Sequence, residues 1–307
     1  MKKISILTLI TNPKERQDKF EEAFSCYKDF ADEVIVVDGG RDKEIDGRVD
    51  DLGKMKVVYL HWPREEWNWV ELPRHLNEGL KHCTGDWTIR LDIDQLIHER
   101  HFIELREILE NCPKDFLTAT MQKMSFTYRN KFYQKGEQAI CLRNNPNIRF
   151  GKNFDKKTDL CFPIFQTAIQ PFFATFPNKE LDDKNTRRSE EIPPYYNLPV
   201  GITPKQFKTG VKYFNYDYFF KTKEFTKKEF WRFSRAYYSF FKEWHFGDSE
   251  EKSFEIFINM QKGRYKRAPY TAKIEDHPMW LRKAVEELTS EQCGKDLWRM
   301  GEVNAGT

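Results

Sequence analysis

Two aspartates, Asp92 and Asp94, stand one residue apart directly after the mostly apolar run WTIRL. Paired carboxylates offer hard oxygen ligands that suit Mg²⁺ or Mn²⁺. Such ions usually complete their coordination with phosphate oxygens of a substrate and with water. The pair therefore predicts a divalent-metal site that also lies close to phosphate groups.

The residues before these aspartates predict a scaffold of strands alternating with helices. The apolar runs ISILTLI, EVIVVD and MKVVYL read as buried strands, and the phenylalanines at 20, 24 and 30 recur at helical spacing. Asn12 and Pro13 would cap and begin the first helix. Alternating strands and helices give a parallel sheet, so an α/β fold is expected up to about residue 112.

The strand ends bring the candidate residues to one edge of this sheet. Asp38 ends the second predicted strand, and Asp92 and Asp94 end the fourth. Ligands of open parallel sheets bind at the carboxyl ends of the strands, so one crevice could hold all three side chains. Asp38 precedes two glycines and could equally serve only to form a turn. Neither GxGxxG nor GxxxxGK[ST] is present, which weighs against dinucleotide and P-loop sites.

Composition fits one large domain, or one domain with a smaller appendage. The chain has 307 residues, 39% of them hydrophobic, with a net charge of +3 that indicates no particular partner. Its six cysteines are widely spaced without a CxxC pattern, which argues against zinc or disulfides and favours a reducing, cytoplasmic location. No apolar run reaches 18 residues, so we expect no transmembrane segment.

The second half changes character, and we predict three regions. Residues 1–112 form the half described above, and residues 113–223 form a mixed-sheet half with a long loop or lid at 177–204. Residues 224–307 form a helical region packed on the same domain. Its first helix, 224–246, interleaves aromatic with basic residues. Most of those aromatics must pack inward, while the cations could form a stripe for phosphates.

Four elements in order resemble a known family. ISILTLITN, ADEVIVVDGG, the helix-and-turn LNEGLKHCTGDW and the strand ending in Asp-x-Asp are similar to the donor half of family 2 glycosyltransferases, over roughly residues 3–110. The resemblance implies a GT-A type, Rossmann-like, mostly parallel sheet flanked by helices, with a mixed-sheet acceptor half. It also implies an inverting transfer of a sugar from a nucleotide-sugar donor, most simply a UDP-sugar.

The resemblance also implies roles for individual residues in the donor half. The nucleotide would lie near Thr11 and Asp38, and Asp92 would contact the nucleotide sugar. Asp92 and Asp94 would hold Mn²⁺ or Mg²⁺ against the diphosphate. Arg74 is the cation nearest to the family's usual basic position, which Leu76 occupies here.

Two further roles come from downstream matches. In LRNNPNIRFGKNFD, Phe154 stands where the family often has His, and Asp155 stands in the place of the carboxylate that acts as catalytic base. A later His commonly helps to hold the metal, and His277 is its candidate. His277 precedes Pro278 and a predicted helix, so a capping role is the alternative.

The sequence alone leaves open which acceptor is used and whether the protein is an enzyme. The acceptor could be a glycan, a lipid-linked glycan, or a hydroxymethylated base in DNA, which the basic residues beside aromatics would suit. A non-catalytic protein that binds nucleic acid or carbohydrate on the same fold is the alternative from another class.

Overall fold

A twisted sheet runs through the centre of the protein, with helices on both faces. The computed structural model describes residues 1–40, 53–62, 71–126, 131–145, 150, 154–155, 186–187, 206–241, 244–268 and 270–289. The elements follow in the order β1 (Ile4–Ile10), α1 (Phe20–Phe30), β2 (Glu33–Asp38), β3 (Met55–Tyr59), α2 (Glu71–Leu80), β4 (Trp87–Arg90), β5 (Gln95–Ile97), α3 (Phe102–Asn111), β6 (Thr118–Phe126), β7 (Lys131–Arg143), β8 (Phe154–Asp155), β9 (Thr186–Arg187), β10 (Gln206–Asn215), α4 (Lys223–Phe241), α5 (Glu250–Arg267), β11 (Tyr270–Thr271) and α6 (Arg282–Thr289).

The main sheet has a parallel half and a mixed half. Its order is β3-β2-β1-β4-β7-β6-β10-β5, with β11 paired to β7, while β8 and β9 pair with each other. Strands β3, β2, β1 and β4 are parallel, β7 is antiparallel to both β4 and β6, and β6 is parallel to β10. The predicted α/β class, with a Rossmann-like half and a mixed half, is confirmed.

Strand β1 is the point where the strand order reverses, because the chain builds β2 on one side of it and later β4 on the other. A crevice forms at the carboxyl ends of such strands, where two connections leave in opposite directions. Ile6 packs in the cluster that contains α1, and Leu7 packs in the cluster that contains α2. This alternation explains why the ISILTLI run is mostly apolar on both faces, with Ser5 and Thr8 also buried.

Glycine at position 79 lets α2 lie directly on the sheet. A Cβ at Gly79 would stand 2.3 Å from Leu7 Cδ1 and 2.5 Å from Val37 Cγ2. No side chain fits such a gap, so the small residue sets the distance between helix and sheet. The neighbouring Asn77 is buried, and its amide donates to the Phe150 carbonyl (2.9 Å) and accepts from the Phe150 N–H (2.7 Å).

Two predicted boundaries are wrong. The first helix begins at Phe20, not at Asn12-Pro13, because the turns after β1 pass through left-handed conformations at Asn12 (φ 45°) and Gln17 (φ 57°). The fourth strand ends at Arg90, and the aspartates lie in the connection that carries the chain to β5. That connection turns where the Gln95 N–H donates to the Asp92 carbonyl (2.8 Å).

The C-terminal region is helical as predicted, with α4 and α5 packed against each other. Aromatic residues of α4 turn inward, since Phe230 and Phe233 are buried with Phe257 of α5. None of the described helices is long and apolar enough to cross a bilayer. The predicted lid at 177–204 lies outside the described residues apart from the two-residue strand β9, and the three predicted regions stay a prediction.

Candidate active site

The connection between β4 and β5 is held from both sides. The Tyr27 hydroxyl of α1 donates to the carbonyls of Asp92 (2.7 Å) and Gln95 (2.8 Å). On the other side, the Tyr216 N–H donates to the Asp94 carbonyl (2.8 Å). Helix α1 and the segment after β10 therefore fix the backbone that carries both aspartates.

The carboxylate of Asp92 already has partners within the protein. It forms an ion pair with Arg90, whose side chain is only 2% exposed, while its own side chain is 40% exposed. Its second oxygen accepts from Gln95 Nε2 at 2.9 Å. Both oxygens are thus held by protein groups, and the exposed part of the carboxylate faces solvent.

Asp94, by contrast, has a carboxylate oxygen without a hydrogen-bond partner among the described residues. Its Oδ1 atom is buried, and no hydrogen-bond donor of the described residues reaches it. Burial, followed by the negative charges of Asp217 and Asp92, raises the pKa of Asp94 to about 8. A buried carboxylate without a partner is costly unless it takes up a proton or a cation. Asp94 is therefore the member of the pair that most needs a bound cation.

Asp217 is a third acid that the sequence analysis missed. It lines the same cavity as Asp92 and Asp94, and its N–H donates to Asn215 Oδ1 (2.9 Å) at the end of β10. Burial raises the pKa of Asp217. An acid just after the aromatic stretch YFNY at 213–216 was the available signal, but β10 itself had not been predicted.

These groups open into a cavity of about 350 Å³ at the carboxyl ends of β1 and β4. Apolar side chains form part of its wall, among them Ile93, Phe230 and Phe257. The charged residues on its wall are Arg16, Asp18, Arg90, Asp92, Asp94, Lys123, Lys135, Asp217 and Arg264. The site thus combines an apolar wall with many charges of both signs.

Two of these residues, Arg16 and Asp18, belong to a closed ring of four charges. Arg16 pairs with Asp18 (3.2 Å) and with Glu229 of α4 (2.8 Å). Lys221, 3% exposed, completes the ring by pairing with Asp18 (3.3 Å) and Glu229 (3.0 Å). Burial alone would lower the pKa of Lys221, but the two carboxylates hold it above its ordinary value. The ring ties the loop after β1 to the segment after β10.

Thr11 and Asp38 lie side by side at the sheet edge, because Ile10 and Asp38 are paired in β1 and β2. Thr11 lines the cavity, while Asp38 does not appear on its wall. Asp38 is 3% exposed, and its Oδ1 accepts from the Gly40 N–H at 2.7 Å. The turn-forming role is thus present, and a contact with nucleotide stays a prediction.

The structure does not test the predicted roles of Arg74 and Asp155. Arg74 is exposed on α2 and does not line the wall. Asp155 lies in β8, where its backbone pairs with Thr186 of β9, and its side chain lies outside the described residues. Their predicted roles remain predictions.

His277 lies inside an aromatic cluster. Its ring stacks on Phe126 with 4.6 Å between centroids, and its Nδ1 hydrogen-bonds the Tyr216 hydroxyl at 2.9 Å. Burial lowers the pKa of His277 to about 4, so it is neutral near pH 7. It does not line the cavity, and the described ranges hold no group of three His, Cys, Asp or Glu placed to bind a metal. The structure does not bring His277 to the aspartates, and its metal role stays a prediction.

A Rossmann-like half, a cavity at the point where strand order reverses, and an Asp-x-Asp connection together define a GT-A type fold. The chain belongs to glycosyl transferase family 2, whose family model matches residues 15–175, more than half of its length.

Three glycosyltransferases are among the solved structures that match part of this chain. S. aureus TarS in complex with UDP-GlcNAc is 17% identical, with 41% of this chain and 34% of that chain covered and a TM-score of 0.29. The mannosyltransferase PcManGT from Pyrobaculum calidifontis, in complex with GDP-Man and Mn²⁺, is 20% identical, with 40% of this chain and 36% of that chain covered and a TM-score of 0.30. The glucosyl-3-phosphoglycerate synthase from Mycobacterium tuberculosis, in complex with Mn²⁺ and UDP-Glc, is 19% identical, with 41% of this chain and 43% of that chain covered and a TM-score of 0.28. The aligned part thus spans less than half of each solved chain. No curated protein matches this chain at a significant level.

Proposed function

We propose that this protein is a metal-dependent, inverting glycosyltransferase that takes a sugar from a nucleotide-sugar donor. Family membership supports the reaction class. The observation that carries the proposal is the buried, unpartnered Oδ1 of Asp94 at the wall of the cavity. A divalent cation at that atom would supply the positive charge that the carboxylate lacks.

Asp94 and Asp92 would hold this cation, and the chemistry of the two carboxylates fits Mn²⁺ or Mg²⁺. Mg²⁺ sites commonly use one or two carboxylates, with the other positions taken by substrate phosphates and water. Two aspartates suit that arrangement, and His277 stays the predicted further ligand. When bound, the cation neutralises negative charge on the departing nucleoside diphosphate.

The donor nucleotide would lie at the ends of β1 and β2. Thr11 lines the cavity there, and Asp38 is its neighbour across the strand pair. The rigid connection held by Tyr27 and Tyr216 keeps Asp94 at a fixed place relative to that end of the sheet. A UDP-sugar is the predicted donor, and Arg74 remains the predicted contact to its diphosphate.

An inverting transfer needs one base to remove the proton of the acceptor hydroxyl as it attacks the sugar. Asp155 is the base that the family resemblance implies. Asp217 is a second candidate, because it lies on the cavity wall and burial raises its pKa, which makes its carboxylate a stronger base.

A thermal-shift panel tests the donor site. Wild type is melted with UDP, GDP, CDP or TDP, with and without Mn²⁺, beside Asp94→Asn. We expect one nucleotide to raise the melting temperature only when Mn²⁺ is present, because the metal site needs phosphate ligands, and we expect no such rise in Asp94→Asn. A nucleotide and metal response that is equal in both proteins would refute the metal site.

The base is tested by turnover of labelled donor in Asp217→Asn and Asp155→Asn. Loss of the base lowers turnover by roughly 10²–10⁴-fold, while nucleotide binding in the thermal-shift panel is retained. If neither variant loses turnover, both assignments of the base are wrong.

A further inference from the structure

Three cations on the cavity wall have no role in the proposed donor site. They are Lys123 of β6, Lys135 of β7 and Arg264 of α5. Lys123 is opposite Gly136 in the β6–β7 pair, so it lies beside Lys135 on the neighbouring strand. Three separate elements therefore bring positive charge to one side of the cavity.

None of these cations forms an ion pair within the part of the chain that the structure describes. Lys123 is only 7% exposed, and the negative charges of Asp94, Asp92 and Asp217 act on it without a direct pair. By contrast, Arg90 is paired with Asp92. A buried lysine that lacks a direct ion pair is stabilised when a ligand supplies negative charge at hydrogen-bond distance.

Like charges act on Lys135. Burial, followed by the positive charges of Lys123 and Arg264, lowers the pKa of Lys135 to about 7, although its side chain keeps exposed surface and Asp217 opposes part of the shift. Burial also lowers the pKa of Lys123, and the charges of Asp94, Asp92 and Asp217 offset part of that effect. An anion bound between the three cations would relieve the repulsion that acts on Lys135.

The cations lie on the mixed-sheet side of the cavity, where the sequence predicts the acceptor. The proposed nucleotide position is at the ends of β1 and β2, in the parallel half, whereas β6 and β7 belong to the mixed half beyond β4. Asp217, a candidate base, lines the cavity together with Lys123, Lys135 and Arg264. An acceptor hydroxyl near that base would bring its other substituents toward the cations.

We infer that the acceptor carries a phosphate monoester, which Lys123, Lys135 and Arg264 bind while the acceptor hydroxyl lies at the candidate base. This inference rests on the proposed function. A dianionic phosphate presents several oxygens and two negative charges to three separate donors, which a neutral sugar does not. The phosphodiester of nucleic acid carries one charge for each phosphate and matches three cations less well.

The test is calorimetric titration of methyl phosphate into full-length protein saturated with Mn²⁺ and the nucleotide found in the thermal-shift panel. Dimethyl phosphate is the matched diester probe. The variants are Lys135→Gln and Arg264→Gln. Lys262→Gln is the control, since it removes an equal charge from an exposed position on the same helix as Arg264.

We expect methyl phosphate to bind the nucleotide-loaded protein and to bind about tenfold more weakly in each variant, since a charge-assisted contact is lost. Lys262→Gln should bind as wild type does. Melting temperatures close to wild type establish that the variants are folded.

Three results would overturn the inference. Methyl phosphate binding that is absent, or equal in wild type and both variants, removes the cation site. Competition between methyl phosphate and the nucleotide assigns the cations to the donor diphosphate, which leaves the proposed function intact. Preference for dimethyl phosphate assigns them to a phosphodiester such as the DNA backbone. Failure of every nucleotide to bind is seen separately, in the thermal-shift panel, and refutes the proposed function itself.

Discussion

Neutralising the two neighbouring aspartates should change stability in opposite directions in the metal-free protein. A carboxyl whose pKa is higher in the folded state than in the unfolded state does not destabilise the fold below about pH 4, where both states are protonated. As pH rises from there through the folded pKa, the unfolded state ionises first and stability is lost. Asp94, with a pKa of about 8, therefore destabilises the metal-free fold in the alkaline range. Asp94→Asn removes that penalty, so the variant should be more stable than wild type above pH 8.

The size of this gain in stability follows from the shift in the pKa of Asp94. A pKa of about 8 against an ordinary value of 3.8 corresponds to at most about 6 kcal/mol. Asp94 keeps some contact with solvent, which screens the charge, so we expect a gain of about 2–3 kcal/mol in the free energy of unfolding. That corresponds to roughly 5 °C in melting temperature for a chain of this size.

Asp92→Asn should instead lower the stability of the metal-free protein. It leaves Arg90, which is 2% exposed, without its counter-ion. Removing one partner of a buried pair costs about 3–5 kcal/mol. Because the Asp92 side chain is 40% exposed, water replaces part of that interaction, and we expect a loss of about 1–3 kcal/mol.

The assay is denaturant unfolding at pH 5, 7 and 9 in the presence of a chelator. Glu255→Gln, which neutralises an exposed acid on α5, serves as the control and should stay within about 0.5 kcal/mol of wild type. The advantage of Asp94→Asn should be small at pH 5 and full at pH 9. If both aspartate variants shift in the same direction, or if the gain of Asp94→Asn does not grow with pH, the account of this pair is wrong.

Three further predictions concern the scaffold and the cation site. Gly79→Ala should lose about 1–3 kcal/mol in chemical unfolding because its methyl group meets the sheet, whereas Gly263→Ala, whose methyl group meets open space, should gain about 0.5 kcal/mol. Asp18→Asn opens the buried ring of four charges and should lose about 2–4 kcal/mol, while Glu15→Gln, which breaks an exposed pair, should change the same free energy by less than 1 kcal/mol. Affinity for methyl phosphate should fall in the alkaline range, because the lowered pKa of Lys135 removes one of the three positive charges there, and Lys135→Gln should lack that component of the titration curve.

The sequence was sufficient for the parallel half of the fold. Mostly apolar runs such as ISILTLI are typical of strands covered on both faces, and helical spacing between them favours a parallel sheet. Local patterns of this kind also gave the α4 helix and the family resemblance, which the match over residues 15–175 confirms. The short elements were not predictable, because β5 owes its existence to its partner β10 on the far side of the sheet.

The sequence by itself determined that an acidic pair follows a strand at the ligand-binding edge of an α/β sheet. Only the tertiary structure decided how the two acids differ. Arg90 and Gln95 bind the Asp92 carboxylate, whereas Asp94, buried beside Asp217, has an Oδ1 atom that no hydrogen-bond donor of the described residues reaches. It likewise decided that three cations from distant segments meet in one cavity. The physical reason is that burial and electrostatic interaction depend on distances in space, and residues far apart in the chain set those distances.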